Sequence, residues 1–311
     1  MRAFAVVLGV LAVVAAAAVI GSFGVAAEDA EAAPWTLAEP MSQRRSYIAA
    51  AQIGEKIYAA GGMVGETGRP LPLFEVFDPK ADLWSTLPRM PEPVRAAAGA
   101  AVGDVVYVIG GTTPSGNSRT VYAYDTEAGV WSEGAPLPEP RFEHAAVTVD
   151  GKVYVLGGYL EGRERDEIFV YDPEANAWSQ GPSLPFPNHA FGAVAYDGEI
   201  WMIGGLRGEE LLRDVWILNL ETGRWRNGPA MPEPMDLLGV AVADDEIHAV
   251  WESTYQIYDA STNTWSSGPR SLVTRHGLEV FYVDGELYTI GGCTTALRDT
   301  QVVERRVLTG R

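Results

Sequence analysis

Arginine and histidine residues recur at one place in the sequence. Four of the six short segments that precede a β-rich stretch contain arginine, and three of the four histidines lie in the same segments. Arginine binds carboxylate and sulfate groups through paired, charge-assisted hydrogen bonds, so this cluster predicts a site for a ligand with acidic groups. The alternative is that these arginines donate to backbone carbonyls of neighbouring loops. The candidate ligand-binding residues are Arg45, Arg95, Arg141, His144, His189, Asp236, Trp251, Glu252, Arg275 and His276.

Familiar catalytic signatures are absent from the sequence, including the Gly-x-Ser-x-Gly elbow, His-Glu-x-x-His and the phosphate loop. The carboxylates Glu143, Asp236 and Glu252 could move a proton beside the arginines. The histidines could ligate a metal, but a metal site requires a defined set of ligands at short range, and we predict no metal and no cofactor. The single cysteine, Cys293, excludes an intrachain disulfide and a zinc site with two thiolates.

The spacing of glycine and tryptophan residues indicates which elements position these groups. Each unit of about 47 residues reads as strand a, strand b ending at Gly-Gly, strand c ending at Asp or Asn, and strand d starting at tryptophan. Four antiparallel strands in a repeat of this length are typical of a β-propeller blade. The markers are Gly61, Gly110, Gly157, Gly204 and Gly291, and Trp35, Trp84, Trp131, Trp178, Trp225 and Trp265. Because they recur in nearly every unit, we interpret them as structural.

The number of units follows from the length. Residues 28–311 amount to 284 residues, which is very nearly six units of 47. Trp35 has the position of a strand d without strands a to c before it, whereas the last unit has a strand c at 302–308 and no tryptophan after it. The N-terminal strand is therefore predicted to close the last of six blades, which removes free sheet edges.

The Gly-Gly pairs, the tyrosine three residues before most of them and motifs such as the Asp-Pro-x-x-x-x-Trp of Asp172–Trp178 resemble the kelch repeat over residues 34–311. The resemblance implies an all-β, six-bladed kelch-type β-propeller with four antiparallel strands per blade. It also implies binding at the face formed by the d–a connections and the b–c loops, which we call the mouth. Kelch propellers include protein-binding modules, carbohydrate-active enzymes and copper oxidases, so the fold leaves the function open.

Blade 5 departs from the repeat. Trp251-Glu252 replaces Gly-Gly, and only 7 residues separate Glu252 from Asp259, where the three preceding blades use 14. One interpretation is a degenerate blade. The other is a notch in the rim of the mouth with Trp251 as a binding platform.

The N-terminus carries an export signal. Arg2, the apolar run 3–20 and Val25-Ala26-Ala27 indicate a signal peptide over residues 1–27, with an uncleaved membrane anchor as the alternative. Residues 28–311 would then form a secreted or periplasmic monomer. The 41 Asp and Glu residues against 23 Lys and Arg argue against nucleic acid as a partner.

The sequence favours a non-catalytic binding module for a protein or glycan with acidic groups. The alternative, implied by the likeness to exported sialic acid mutarotases of kelch type, is a carbohydrate isomerase or mutarotase acting on an acidic sugar such as sialic acid. Arginine would hold the sugar carboxylate in that enzyme, and an acid or base would move the proton.

Overall fold

Six four-stranded antiparallel sheets form the blades of a β-propeller. The computed structural model describes residues 34–65, 67–294 and 298–308. Strands a to d are Ala49–Ile53, Lys56–Ala60, Phe74–Asp78 and Leu83–Thr86 in blade 1, Ala98–Val102, Val105–Ile109, Val121–Asp125 and Val130–Gly134 in blade 2, and Ala145–Val149, Lys152–Leu156, Ile168–Asp172 and Ala177–Gln180 in blade 3. They are Gly192–Tyr196, Glu199–Ile203, Val215–Asn219 and Arg224–Asn227 in blade 4, and Gly239–Ala243, Glu246–Trp251, Thr254–Asp259 and Thr264–Ser267 in blade 5. The predicted fold class is confirmed.

Blade 6 is assembled from both ends of the described chain. Its strands a to c are His276–Val283, Glu286–Thr294 and Val303–Val307, and its strand d is Thr36–Ala38. Strand d pairs antiparallel with strand c, with Ala38 opposite Val303. The predicted N-terminal closure is confirmed. A short strand, Arg298–Asp299, adds to the end of strand b.

Apolar residues pack between consecutive blades. Six separate clusters fill the six seams, and one of them joins blade 6 to blade 1 through residues such as Ile290 and Phe77. The alternating strands supply these residues because successive side chains of a strand point to opposite faces of its sheet. Closure of the ring therefore gives every blade two packed faces.

The repeated tryptophans secure the same seams. Each indole N–H donates to a backbone carbonyl of the connection that follows the preceding blade, at 2.7–3.0 Å. Trp35, for example, is 3% exposed, donates to Pro269 and meets the edge of Tyr255. The structural interpretation of the tryptophans is confirmed by this shared contact.

The b–c loops differ between blades. Blades 1 to 4 each carry a two-stranded hairpin in this loop, formed by Met63–Val64 and Arg69–Pro70, Thr112–Thr113 and Gly116–Asn117, Tyr159–Leu160 and Arg163–Glu164, and Leu206–Arg207 and Glu210–Leu211. In blade 5, strands b and c instead continue to Trp251 and from Thr254, so the turn between them is short. In the three described stretches, no helix is long and apolar enough to cross a membrane.

Candidate functional site

Three of the four candidate arginines lie inside their own blades. Arg45, Arg141 and Arg275 are each 0% exposed, and each donates to the carbonyl of the first glycine of its Gly-Gly pair. Arg45 pairs with Glu75, and Arg275 pairs with Glu304, both at 2.6 Å. Burial lowers the pKa of both arginines, and the paired carboxylates oppose this effect. These contacts tie the segment before strand a to the end of strand b.

This placement corrects the predicted arginine cluster, because guanidinium groups bonded within a blade do not face the mouth. In blade 4 the equivalent residue, Asn188, makes the same link by donating to Gly204 at 3.0 Å. Val94 and Met235 occupy the position in blades 2 and 5 and are buried. Arg95, one residue further along, is the exception: it is half-buried, and its guanidinium group lies 3.6 Å from Met63 Sδ.

A closed ring of six backbone hydrogen bonds encircles the axis at the mouth. One residue of each blade donates its N–H to the carbonyl of its counterpart in the preceding blade, with N···O distances of 2.6–3.3 Å. All six have positive φ angles of 46–63°. We call this the axial ring, and its members are Tyr47, Ala96, Glu143, Ala190, Leu237 and Gly277. Since five are not glycine, closure of the ring overcomes an unfavourable backbone conformation at those five positions.

Polar side chains from all six blades gather around the axial ring. His189 Nε2 lies 3.9 Å from Glu143 Oε2, and His189 Nδ1 lies 4.0 Å from Glu164 Oε1 on the hairpin of blade 3. Asp236 interacts electrostatically with His189, His276 and Glu252. We call the following group, one residue from each blade, the mouth cluster: Tyr47, Arg95, Glu143, His189, Asp236 and His276.

The mouth cluster has perturbed acid–base properties. Burial raises the pKa of Glu143 to about 7; Asp236 adds to the increase, and Arg95 opposes it. Burial also raises the pKa of Asp236 and lowers that of His189. Burial, with Glu143 and Asp236 nearby, raises the pKa of Tyr47. Glu143 therefore changes charge near neutral pH, so the electrostatic potential of the mouth depends on pH in that range.

Comparison with known proteins assigns the chain to a family. The profile of the KLHDC2/KLHL20/DRC7 Kelch-repeats domain matches residues 47–248, which is more than half of the chain. The chain belongs to the kelch-repeat family. Kelch propellers typically serve as protein-binding modules.

Shorter segments resemble individual kelch proteins. An F-box/kelch-repeat protein of Arabidopsis thaliana is 33% identical over 75 residues, covering 24% of this chain and 20% of that protein. Kelch-like protein 23 of Homo sapiens is 35% identical over 83 residues, covering 27% and 14%. Alpha-scruin of Limulus polyphemus is 33% identical over 89 residues, covering 27% and 10%. The chain spans a fifth or less of the length of these kelch relatives.

Two candidate histidines have different surroundings. His144 is buried between blades 2 and 3 of the kelch propeller, and burial followed by Arg141 lowers its pKa to about 3. It does not belong to the mouth cluster. His276 does, and its Nε2 lies 3.2 Å from the sulfur of Cys293. Burial raises the pKa of that thiol to about 11, so it is not a thiolate at neutral pH.

The described residues contain no group of three or more His, Cys, Asp or Glu side chains arranged to hold a metal ion. The sequence-based expectation of no metal therefore stays a prediction about the whole chain.

Blade 5 presents the remaining two candidates at the rim of the mouth. Glu252 forms a β-bridge with Arg275 and lies close enough to Asp236 to raise its pKa further. Trp251 is half-buried against the seam between blades 4 and 5, and its indole nitrogen has no hydrogen-bond partner among the described residues. The shortened loop thus leaves the rim lower here than at the four blades with hairpins.

Sequence reasoning missed Tyr47 and the axial ring. The ring residues share a backbone conformation but no residue type, and tyrosine, alanine, glutamate and leucine do not indicate positive φ. The usable signal was position, because all six stand at the same distance before the Gly-Gly position; five of them stand two residues ahead of a strand a, and Gly277 is the second residue of its strand a.

The ring conformation makes a prediction about glycine. Ala190→Gly removes the cost of a positive φ angle, which stabilises the folded state. It also removes a methyl group and increases the conformational entropy of the unfolded chain, both of which destabilise the folded state. Because these effects oppose each other, the free energy of unfolding should change by no more than about 0.5 kcal/mol from that of the unchanged chain. The matched change Ala98→Gly, in a strand a without positive φ, should cost about 1 kcal/mol. Urea unfolding of both variants measures the difference. Equal losses would show that the ring conformation is not strained.

Proposed function

We propose that this kelch propeller is a protein-binding module whose mouth takes a partner segment with positively charged side chains. The observation that carries the proposal is the mouth cluster, in which each blade contributes one polar residue around a backbone held by the axial ring. Binding and catalytic residues are commonly found on loops that a rigid scaffold positions. The protein-binding role typical of kelch propellers supports the same assignment.

The charge of the mouth favours a cationic rather than an acidic partner. Arg45, Arg141 and Arg275 are withdrawn into the blades, which leaves Arg95 as the arginine of the mouth cluster. Glu143 in the adjacent blade 3 and Asp236 in the opposite blade 5 supply negative charge, with Glu252 at the rim. A chain of net charge −18 adds a negative field that attracts cations. This reverses the ligand charge that the arginines suggested.

The notch at blade 5 suits an extended segment. Hairpins stand beside the mouth on blades 1 to 4, whereas the tight turn of blade 5 leaves a gap beside Asp236. Trp251 packs against the seam between blades 4 and 5 below this gap, and its indole nitrogen is buried, so Trp251 forms part of the floor and offers no hydrogen-bond donor to a ligand. A peptide that passed over blade 5 would place a lysine or arginine beside Asp236 and Glu252.

Panning of a random 12-residue peptide library tests the proposal without knowledge of the partner. Peptides that bind the chain 28–311 at pH 8 should be enriched in lysine and arginine. Because the pKa of Glu143 is about 7, its carboxylate is mostly protonated at pH 6, so a cationic peptide should bind up to about tenfold more weakly there than at pH 8. Isothermal titration calorimetry on synthetic peptides measures both affinities.

Variants separate the mouth from the rest of the surface. Asp236→Asn should weaken peptide binding by about tenfold, which corresponds to about 1.4 kcal/mol. Glu55→Gln removes an exposed carboxylate from the a–b hairpin of blade 1, on the opposite face, and should leave affinity unchanged. Enrichment of acidic peptides, or equal loss in both variants, would contradict the proposal.

We also propose that the protein is exported, with residues 1–27 as a cleaved signal peptide. This segment lies outside the described residues, and the proposal is supported by its sequence alone. Expression of the full chain in a bacterial host should give a mature protein that begins at or near Glu28. Intact mass spectrometry measures this, and a membrane-extracted product that retains Arg2 would establish the anchor instead.

The carbohydrate isomerase alternative loses its main support. An acidic sugar would need arginines at the mouth for its carboxylate, and three of the four candidates are 0% exposed within the blades. Glu143 lies 3.9 Å from His189, but the proximity of a carboxyl group and an imidazole does not by itself select a sugar. We therefore propose binding rather than catalysis.

A further inference from the structure

A cavity of about 390 Å³ follows the propeller axis on the far side of the axial ring. A second space of about 90 Å³ lies directly beneath the ring. The larger cavity is lined by the six a strands, which run from the mouth toward the a–b hairpins, and the smaller space is lined mainly by the residues just before these strands. The larger volume falls in the range of small-molecule sites, and its wall is made mostly of alanine, glycine and valine.

The wall of this axial cavity is more polar than its side chains suggest. Strand a pairs only with strand b in every blade, so its inner edge carries N–H and C=O groups that the sheet does not use. One such carbonyl, that of Ala101, accepts a hydrogen bond from Thr148 Oγ1 at 2.9 Å. Other edge carbonyls are available as acceptors along the axis.

Glu279 breaks the repeat at this level. It is the fourth residue after Arg275, and the equivalent residues of blades 1 to 5 are all alanine or glycine, namely Ala49, Ala98, Ala145, Gly192 and Gly239. Glu279 lines both spaces. No hydrogen bond or ion pair joins its carboxyl to any residue in the described parts of the chain.

Among the described residues that line the two spaces around Glu279, none supplies a compensating positive charge. The other titratable groups that line the two spaces are Tyr47, Glu143, His144 and Tyr282, and no lysine or arginine is among the lining residues. His144 is neutral at physiological pH, since its pKa is about 3. A carboxylate in this position is poorly compensated by the protein itself.

We propose that the axial cavity is a second binding site, for a small primary alkylammonium ion, with Glu279 as its counter-ion and the edge carbonyls of the a strands as further acceptors. An ammonium group has three donors and no acceptor, so the carboxyl of Glu279 and the carbonyls among the inner-edge groups can accept its hydrogen bonds. The net charge of −18 favours entry of cations into a channel.

The access route separates this site from the mouth. Residues joined by backbone hydrogen bonds lie about 5 Å apart, so the six-membered ring is about 10 Å across between Cα atoms and leaves only a narrow opening. The larger cavity extends to Gln52, Thr148 and Tyr282, near the a–b hairpins. A ligand therefore enters from the face opposite the mouth.

Binding should be coupled to proton release. Burial raises the pKa of Glu279 to about 8, so the empty site holds a protonated carboxyl at pH 7. The ammonium ion binds the carboxylate, and the proton leaves to solvent. Affinity should therefore rise by up to about tenfold per pH unit below pH 8 and level off above it.

Calorimetric titration of n-butylammonium chloride into the chain 28–311 tests the site, at pH 6.5 and pH 8.5. We expect at least tenfold stronger binding at pH 8.5, and at least tenfold weaker binding at that pH by Glu279→Gln. Glu279→Ala, which installs the residue found in three other blades, should fold and also lose binding. Glu133→Gln is the matched control, because it removes an exposed carboxylate from strand d of blade 2, at the outer edge of the sheet, and it should bind as the unchanged chain does.

Three outcomes would overturn the proposal. The first is n-butylammonium binding that Glu279→Gln and Glu279→Ala leave intact, and the second is no binding at either pH. The third is equal binding of n-butanol, which would mean that the cavity selects an alkyl chain rather than a cation. Peptide binding at the mouth should be unchanged in both Glu279 variants, so the two sites are tested independently.

Discussion

The Arg275→Ala variant should have a much lower melting temperature than the unchanged protein, and its mouth cluster should stay in place. Arg275 and Glu304 are both 0% exposed and pair at 2.6 Å. Removing one partner leaves an uncompensated buried charge, which costs about 3–5 kcal/mol. At about 2–4 °C per kcal/mol, the melting temperature should fall by about 6–20 °C. Differential scanning calorimetry measures the shift.

Arg95→Ala is the matched control for this prediction. Its guanidinium group is half-buried and forms no ion pair within 4.0 Å among the described residues. Its loss should change the free energy of unfolding by no more than about 0.5 kcal/mol. If Arg275→Ala melted normally and Arg95→Ala did not, the division between structural and mouth arginines would be wrong.

A chain that begins at residue 42 should be less stable and should aggregate. It lacks strand d of blade 6 and Trp35, which is 3% exposed in the seam between blades 5 and 6. Loss of a buried tryptophan costs about 3–5 kcal/mol, and removal of the strand exposes the edge of Val303–Val307. Thermal melting and size-exclusion chromatography follow both effects.

The control is a chain that begins at Glu28, which retains the closing strand. Trp35→Ala in that chain removes the seam contact while the closing strand remains. The melting temperature of this variant should therefore lie between those of the chains that begin at residues 28 and 42. Equal melting temperatures for the chains beginning at residues 28 and 42 would falsify the role of N-terminal closure.

The fold was predictable because its determinants are repeated. Trp84, Trp131 and their counterparts make the same seam contact in every blade, so the sequence period translated directly into six equivalent sheets. The closing strand followed from the same logic, since Trp35 stood without the rest of its unit. Because the same contact is made in six blades, the residue that makes it recurs at a fixed spacing, and this recurrence can be recognised in a single sequence.

The site was predicted less well because two neighbouring positions of the repeat carry arginine and their side chains point in different directions. Arg45, Arg141 and Arg275 occur at one equivalent position in three blades, and such recurrence was already the sign of a structural role for the tryptophans. Their side chains turn into the blade, and Arg95, one residue later, does not. Arg95 directly precedes its axial-ring residue, Ala96, whereas the three buried arginines each stand two residues before theirs.

The axial ring allows different side chains to occupy the mouth without a change in the backbone. Its six bonds use only peptide groups, so any residue with a backbone N–H can form them, and only proline lacks the donor. β-Branched residues are disfavoured there by the positive φ. The present residues, from Gly277 to Tyr47, already span a wide range of size and polarity on one backbone. Ligand preference can therefore diverge through substitutions at the ring and its neighbours while the scaffold keeps its shape, which makes this propeller a natural framework for directed evolution of new binders.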